Sequence, residues 1–127
     1  MTPIGRLTIA IVDDEEAVLG VTRNALELDG YEVLTASNGI EAVELARGHH
    51  GVLALMLLDL SMPLMGGIEA IPLIRAAAPD LPILIMTGLG ERETRHRLAG
   101  LGVEVIQKPF RADQLADRVG ALLATSR

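Results

Sequence analysis

Five short apolar runs recur along the chain, each followed by a stretch whose apolar residues return at helical spacing. Leu7–Val12 is the first, an almost unbroken run of the kind that fits a strand covered on both faces. From Glu15 to Asp29 the residues Val18, Val21, Ala25 and Leu28 fall at helical intervals, and Gly30 supplies a stop signal. Tyr31–Thr35 reads as the second strand. Asn38 then stands as a helix N-cap with Glu41 as its capping-box partner, and that helix runs to about Arg47 and ends at Gly48. Val52–Leu58 is the third strand. A loop from Leu60 to Gly66 leads into a helix from about Gly67 to Ala78, closed by Pro79. Pro82–Met86 is the fourth strand, Glu91–Ala99 a short helix ending in Gly100, and Val103–Ile106 the fifth strand. Ala112–Ala124 is the last helix, with Leu115, Val119 and Leu122 on one face. This five-fold β-α alternation predicts an α/β fold, a parallel sheet with helices on both faces and right-handed crossovers. One residue disturbs the pattern. Pro72 falls inside the third helix, where the lost backbone donor costs up to ~3 kcal/mol if it is truly internal. That helix is then either kinked at Pro72 or regular only from near it.

Composition narrows the picture. At 127 residues the chain has the length of one domain with a core of its own. Half the residues are apolar, yet only Tyr31 and Phe110 are aromatic, so the core must be aliphatic. The net charge is −6, from 17 acids and 11 bases, which argues against direct nucleic-acid binding. Cysteine is absent, which excludes disulfides and thiolate metal sites. The longest apolar run is far short of the ~20 residues a membrane helix needs. Met1-Thr2-Pro3 lacks the basic flank and apolar segment of a signal peptide. A cytoplasmic setting without membrane insertion is the expectation.

The polar residues that interrupt the pattern carry the chemistry. Asp13 and Asp14 follow strand 1, Asp59 follows strand 3, Thr87 follows strand 4 and Lys108 follows strand 5. In open parallel sheets ligands sit outside the carboxyl ends of the strands, at the topological switch point. Lys108 is the only lysine among ten arginines, which marks a position that needs a compact ammonium and not a planar fork. Three carboxylates close together repel, and one is pushed toward protonation unless cations compensate. Lys108 is one such cation and a divalent metal another. Carboxylates with a carbonyl and a few waters suit Mg2+. Zinc does not fit, since there is no cysteine and His49, His50 and His96 lie away from the rim. A metal, an ammonium and the Thr87 hydroxyl together describe a receptor for a phosphoryl group. The turn after strand 1, Asp13-Asp14-Glu15-Glu16, would repel a nucleotide, and no phosphate-binding glycine motif occurs. Asp59 is therefore free to act as a nucleophile that forms an aspartyl phosphate.

Four stretches in order, each at a strand end, make a specific pattern: Ile11-Val12-Asp13-Asp14-Glu15, Leu57-Leu58-Asp59-Leu60-Ser61-Met62-Pro63-Leu64-Met65-Gly66-Gly67, Met86-Thr87-Gly88 and Lys108-Pro109-Phe110. With them the chain resembles a response-regulator receiver domain of two-component signalling over essentially its whole length, residues 1–127 with a core of about 6–124. The Met-Gly-Gly and Gln-Lys-Pro-Phe forms are similar to receivers associated with hybrid histidine kinases. The resemblance implies a flavodoxin-like three-layer sandwich with strand order 2-1-3-4-5. It implies that Asp59 accepts a phosphoryl group from a phosphohistidine on a sensor histidine kinase or phosphotransfer protein. Asp14 would bind Mg2+ directly and Asp13 largely through water, with Asp59 and the Ser61 backbone carbonyl as further ligands. Thr87 would swing its hydroxyl onto the phosphoryl group. Lys108 would pair with Asp59 before the reaction and with the phosphate after it, beside a cis Lys108–Pro109 bond. Phosphorylation would alter the surface of helix 4, strand 5 and helix 5 and so reach a downstream protein or a covalently attached domain. One departure bears on that switch. The usual aromatic three residues before the lysine is Val105 here, and a β-branched aliphatic cannot report by an aromatic swing.

Blander assignments cover other residues. Met62, Met65 and Met86 read as packing residues, and His49-His50 as a solvated loop pair. Helix 4 is almost wholly charged, with Glu91/Arg95 and Glu93/Arg97 as i,i+4 pairs; Arg92, Arg95 and Arg97 form a basic cluster that suits an acidic partner surface. Exposed helices 4 and 5 also offer surface for a dimer. The sequence stops soon after the last helix, so output is expected through protein contact or through a longer chain from which this domain comes. Two rival functions remain open. One is an interaction module on the same fold that works without phosphorylation. The other is a phosphohydrolase with an Asp nucleophile, which would usually place a second Asp where Ser61 stands. Neither the receiver nor the interaction module would turn over a separate substrate.

Overall fold

The computed structural model describes residues 6–125. The readings made at Met1-Thr2-Pro3 and Arg127 lie outside them. Ten elements alternate: β1 (Thr8–Val12), α1 (Glu16–Leu28), β2 (Glu32–Ala36), α2 (Gly39–Gly48), β3 (Leu53–Asp59), α3 (Gly67–Ala77), β4 (Ile83–Thr87), α4 (Glu91–Arg97), β5 (Glu104–Gln107) and α5 (Ala112–Thr125). The strands form one parallel sheet in the order β2-β1-β3-β4-β5. The order reverses between β1 and β3, and the register sets Val12 beside Leu58, Asp59 beside Met86 and Thr87 beside Gln107. The residues that follow β1, end β3 and β4, and follow β5 therefore share one rim.

Alternation along the strands divides the core in two. Ala10, Val12, Met56, Leu58, Ile83 and Ile85 face the side covered by α2 and α3. Ile9, Ile11, Leu55, Leu57, Leu84 and Met86 face the side covered by α1 and α5. The strands are apolar on both faces because both faces are covered, and no aromatic side chain is fully buried among them.

The helices correct the sequence reading in phase more than in position. In α1 the buried residues are Thr22 and Leu26, while Val21 and Leu28 are 71% and 88% exposed. The apolar spacing picked out a stripe displaced from the face that packs. In α5 the buried ladder is Leu115, Val119 and Leu123, with Leu122 only partly covered. At α2 the Asn38 side chain accepts from the Glu41 N–H at 2.9 Å, as a cap should. The Glu41 carboxylate, however, reaches the Ser37 N–H and hydroxyl, one residue before the expected box. The helix α3 runs through Pro72, which lies on its exposed side. The charged helix α4 stops at Arg97, shorter than its polar pattern implied, and buries only Thr94.

Candidate functional site

Backbone hydrogen bonds between neighbouring strand ends fix the rim. Asp13 N–H donates to the Ala36 carbonyl at 3.1 Å, Leu60 N–H to Met86 at 3.1 Å and Lys108 N–H to Thr87 at 2.7 Å. Two glycines allow the connecting chain to pass close by. A Cβ on Gly67 would lie 2.6 Å from the Asp59 carbonyl oxygen, and one on Gly39 would lie 2.6 Å from the Met65 carbonyl oxygen. The start of α3 thus rests directly on the backbone of Asp59, and the N-terminus of α2 on the loop that follows it.

The side chains converge. Asp13 is fully buried, Asp59 nearly so, and Asp14 is exposed at the mouth. Carboxylate oxygens of all three lie within 4.8 Å of one another. The Lys108 ammonium donates to Asp13 Oδ2 at 2.8 Å and to Asp59 Oδ1 at 3.2 Å, and stands 3.7 Å from Glu15 Oε1. The other oxygen of Asp13 accepts the Glu15 N–H at 2.9 Å. Thr87, 1% exposed, accepts the Leu89 N–H on its hydroxyl oxygen at 3.0 Å. A cleft of about 370 Å3 opens above, lined by Asp14, Asp59, Ser61, Thr87, Leu89 and Lys108 among others. The Lys108–Pro109 bond is cis.

This electrostatic balance is uneven. Burial, and then the charge of Asp13, push the Asp59 carboxyl up from 3.8 to about 6, against the opposing pull of Lys108. Burial of Lys108 opposes its charge, yet its hydrogen bond to Asp13 and the charges of Asp59 and Asp13 prevail and raise its pKa further. One ammonium therefore serves three carboxylates incompletely. The cluster offers hard oxygen donors with excess negative charge, which is the donor set that Mg2+ takes.

All five side chains expected at the rim meet there, and Ser61 lines the same cleft. The other candidates do not join it. Met62 and Met65 pack against the core, and Met86 is fully buried in it. His49 and His50 line a separate cavity between the far ends of β1, β3 and β4. On α4, Arg95 and Arg97 lie 3.7 and 3.4 Å from Glu91 and Glu93 in exposed i,i+4 pairs, well away from the cleft. The sequence reading missed that Lys108 lies nearer Asp13 than Asp59, and that Glu15 stands third in its reach. It also passed over Gly39 and Gly67 as close approaches. The Gly66-Gly67 pair was the available signal, since two adjacent glycines beside a functional loop mark a place without room for side chains.

A doubly wound parallel sheet with an acidic cleft and a lysine at its switch point defines a class of α/β domain whose polar site lies at the carboxyl ends of the strands. The sequence profile of the response regulator receiver domain matches residues 9–120, and the chain belongs to that family. The response regulator MprA of Mycobacterium leprae (strain TN) is 35% identical over 125 residues, covering 95% of this chain and 53% of that protein. The chain spans about half the length of the curated relatives it matches. Among solved structures, a CheY-like receiver domain from Methanospirillum hungatei JF-1 superposes with a TM-score of 0.87 at 27% identity, covering 96% of this chain and 97% of that one. The receiver domain of the hybrid histidine kinase CckA superposes with a TM-score of 0.78 at 31% identity, covering 91% and 98%. Among the described residues no helix is long and apolar enough to cross a membrane.

Proposed function

We propose that this chain is a phosphoacceptor of a two-component relay, one receiver domain with its core at about residues 6–124. Asp59 is the acceptor, and the donor is a phosphohistidine on a sensor histidine kinase or phosphotransfer protein. The observation that carries the reading is the place of Asp59. It ends the central strand β3, nine-tenths covered, with two further carboxylates within 4.8 Å and an ammonium at 3.2 Å.

The chemistry follows from those neighbours. A carboxylate oxygen of Asp59 attacks phosphorus, the bond from phosphorus to the imidazole nitrogen breaks, and the histidine leaves with the electron pair. Asp13, Asp14, Asp59 and the Ser61 carbonyl would hold Mg2+, which supplies positive charge toward the phosphoryl oxygens. Lys108 carries a second positive charge on a flexible stem, able to follow the phosphoryl group as it arrives. Thr87 donates its hydroxyl to one phosphoryl oxygen. Water returns the aspartyl phosphate to the carboxylate, and no separate substrate is turned over.

The donor needs a surface beside the cleft. An apolar groove between Ala17, Val18, Val21, Pro109 and Phe110 shares Lys108 with the acidic site. The exposed stripe of α1 that does not pack on the core, Val21 above all, faces it. We assign this groove to the donor protein, whose apolar helix face would seat there with its phosphohistidine over Asp59. Output passes to a downstream protein or an attached domain through the face of α4, β5 and α5.

The test is intact mass after incubation with Mg2+ and acetyl phosphate. Addition of one phosphoryl group, absent in Asp59→Asn and absent without Mg2+, is the expected result. No addition in the parent chain would remove the reading and leave an interaction module that works without phosphorylation.

A further inference from the structure

Val105 stands on β5, and between it and α4 lies an open cavity of about 340 Å3 lined by Glu91, Thr94, Arg95, Val105 and Gln107. Valine carries no aromatic ring to reach across it. Another connection is present. Thr87 accepts the Leu89 N–H at 3.0 Å, and the Leu89 carbonyl accepts the Thr94 hydroxyl at 3.4 Å. Thr87 and Thr94 are both buried, 1% and 2% exposed, although they belong to different elements. Thr94 is the one buried residue of α4. Its methyl and hydroxyl thus hold a lightly anchored helix, and the hydroxyl is bound to the loop that follows Thr87.

The loop itself has the make-up of a hinge. Leu89 lies between Gly88 and Gly90. A Cβ at either glycine would meet nothing within 4 Å, and neither has a positive φ, so neither packing nor the present backbone conformation demands glycine there. What glycine adds at such positions is access to other conformations.

We infer that Thr94 is a positioning residue that couples the Thr87 hydroxyl to α4 through the Leu89 peptide, in place of an aromatic side chain on β5. The inference rests on the phosphoacceptor reading above. When Thr87 rotates its hydroxyl toward a phosphoryl group on Asp59, the Leu89 N–H loses its acceptor. A partly buried N–H without a partner is costly, so the Leu89 peptide turns to find another. Its carbonyl turns with it, and the Thr94 hydroxyl must follow or let go. Either outcome changes how α4 is held.

Amide hydrogen exchange of the chain, with Mg2+ and with or without acetyl phosphate, tests this, with intact mass read on the same samples. In the parent chain, phosphorylation should change exchange at Leu89 and along α4 by about fivefold, the shift one ordinary hydrogen bond makes in a local opening equilibrium. Thr94→Ser should keep that response. Thr94→Val and Thr94→Ala, which differ in volume and both lack the hydroxyl, should gain the phosphoryl group normally and lose the response in α4. A purely structural role would raise α4 exchange in both states and leave the difference between them intact, which would overturn the proposal. So would an unchanged Leu89 amide in the phosphorylated parent chain, a readout that needs no variant. Failure of the parent chain to take up phosphate would show in the mass and would remove the phosphoacceptor reading together with the coupling.

Discussion

Lys108 makes its shortest ion pair with Asp13, at 2.8 Å, and not with the proposed acceptor Asp59, at 3.2 Å. Asp13 is fully buried and Asp59 is 6% exposed. The ammonium is thus a structural counter-ion for one carboxylate and a chemical neighbour of the other. With the proposed phosphoryl group on Asp59, this division would let the ammonium turn toward it while keeping its pair with Asp13.

Removing that ammonium should therefore cost stability as well as chemistry. Lys108→Met leaves the buried Asp13 carboxylate with only the Glu15 N–H as donor. Breaking a buried pair from one side costs about 3 kcal/mol. Urea denaturation without Mg2+ at neutral pH should show a loss of that order. Lys108→Arg should recover little of it, because a planar guanidinium cannot reach both oxygens as a point charge does. Stability equal to the parent in both variants would show that the pair contributes nothing.

The raised Asp59 pKa predicts a gain where most charge removals give a loss. The folded carboxyl holds its proton up to about 6, against 3.8 for the ordinary group, because burial and Asp13 disfavour its charge. Its protonated form is the one the folded state favours. The contribution to stability is fully present below the unfolded pKa and is lost as pH rises through about 6. At neutral pH, without divalent cations, the ionised carboxylate destabilises the fold by about 3 kcal/mol. Asp59→Asn should remove that penalty and raise Tm at neutral pH, with the advantage shrinking as pH falls below about 6 and gone near 3.8. Thermal melts of the two chains across that range provide the check. An Asn variant less stable at neutral pH would mean that Lys108 dominates the site after all.

How far the sequence could be read depends on what each residue reports. The strands and the rim were legible because apolar runs on a doubly covered sheet end where the covering ends, whereas the strand order came only with the family resemblance. Asp13, Asp59, Thr87 and Lys108 each mark such an end. The packing face of α1 was not legible, since Val18, Val21, Ala25 and Leu28 have helical spacing yet Thr22 and Leu26 are buried. An apolar side chain left on the surface looks the same in sequence as one facing the core, and Val21, exposed beside the groove at Phe110, is of the first kind. The hydrogen bonds from the Leu89 N–H to Thr87 and from the Thr94 hydroxyl to the Leu89 carbonyl were hidden for another reason. Threonine is ordinary in strands and turns, and only the fold places Thr94 under the β4–α4 loop.

Divalent cations should stabilise the chain, and the effect should be traceable to the acidic cleft. A ligand that binds only the folded state at about tenfold over its Kd adds about 1.4 kcal/mol. Mg2+ should raise Tm, and EDTA should reverse the rise. Asp14→Asn removes an exposed donor from the cluster of three and should reduce the effect, whereas Asp80→Asn, at the far end of the sheet, should leave it intact. Because Asp59 retains its proton up to about 6, the stabilisation should weaken as pH falls through that value. A Tm that rises equally in Asp14→Asn would place the cation elsewhere.

The two kinds of glycine in this chain should respond in opposite directions to a single methyl group. Gly67 begins α3 with its Cα against the backbone of Asp59, and a Cβ there would sit 2.6 Å from the Asp59 carbonyl and 3.2 Å from the Leu60 Cα. Neither neighbour is the end of a flexible side chain, so the helix must move away from the strand. Gly67→Ala should cost about 1–3 kcal/mol, as overpacking does, and should disturb phosphoryl uptake because the displaced backbone carries Asp59 itself. Gly20 lies within α1, exposed, with nothing within 4 Å of a Cβ. There alanine only reduces the freedom of the unfolded chain and should stabilise by about 0.5–1 kcal/mol. Chemical denaturation of both variants, with intact mass after acetyl phosphate, separates the two effects. Loss of phosphoryl uptake in Gly67→Ala without loss of stability would mean that the cleft, and not the packing of α3, sets the need for glycine.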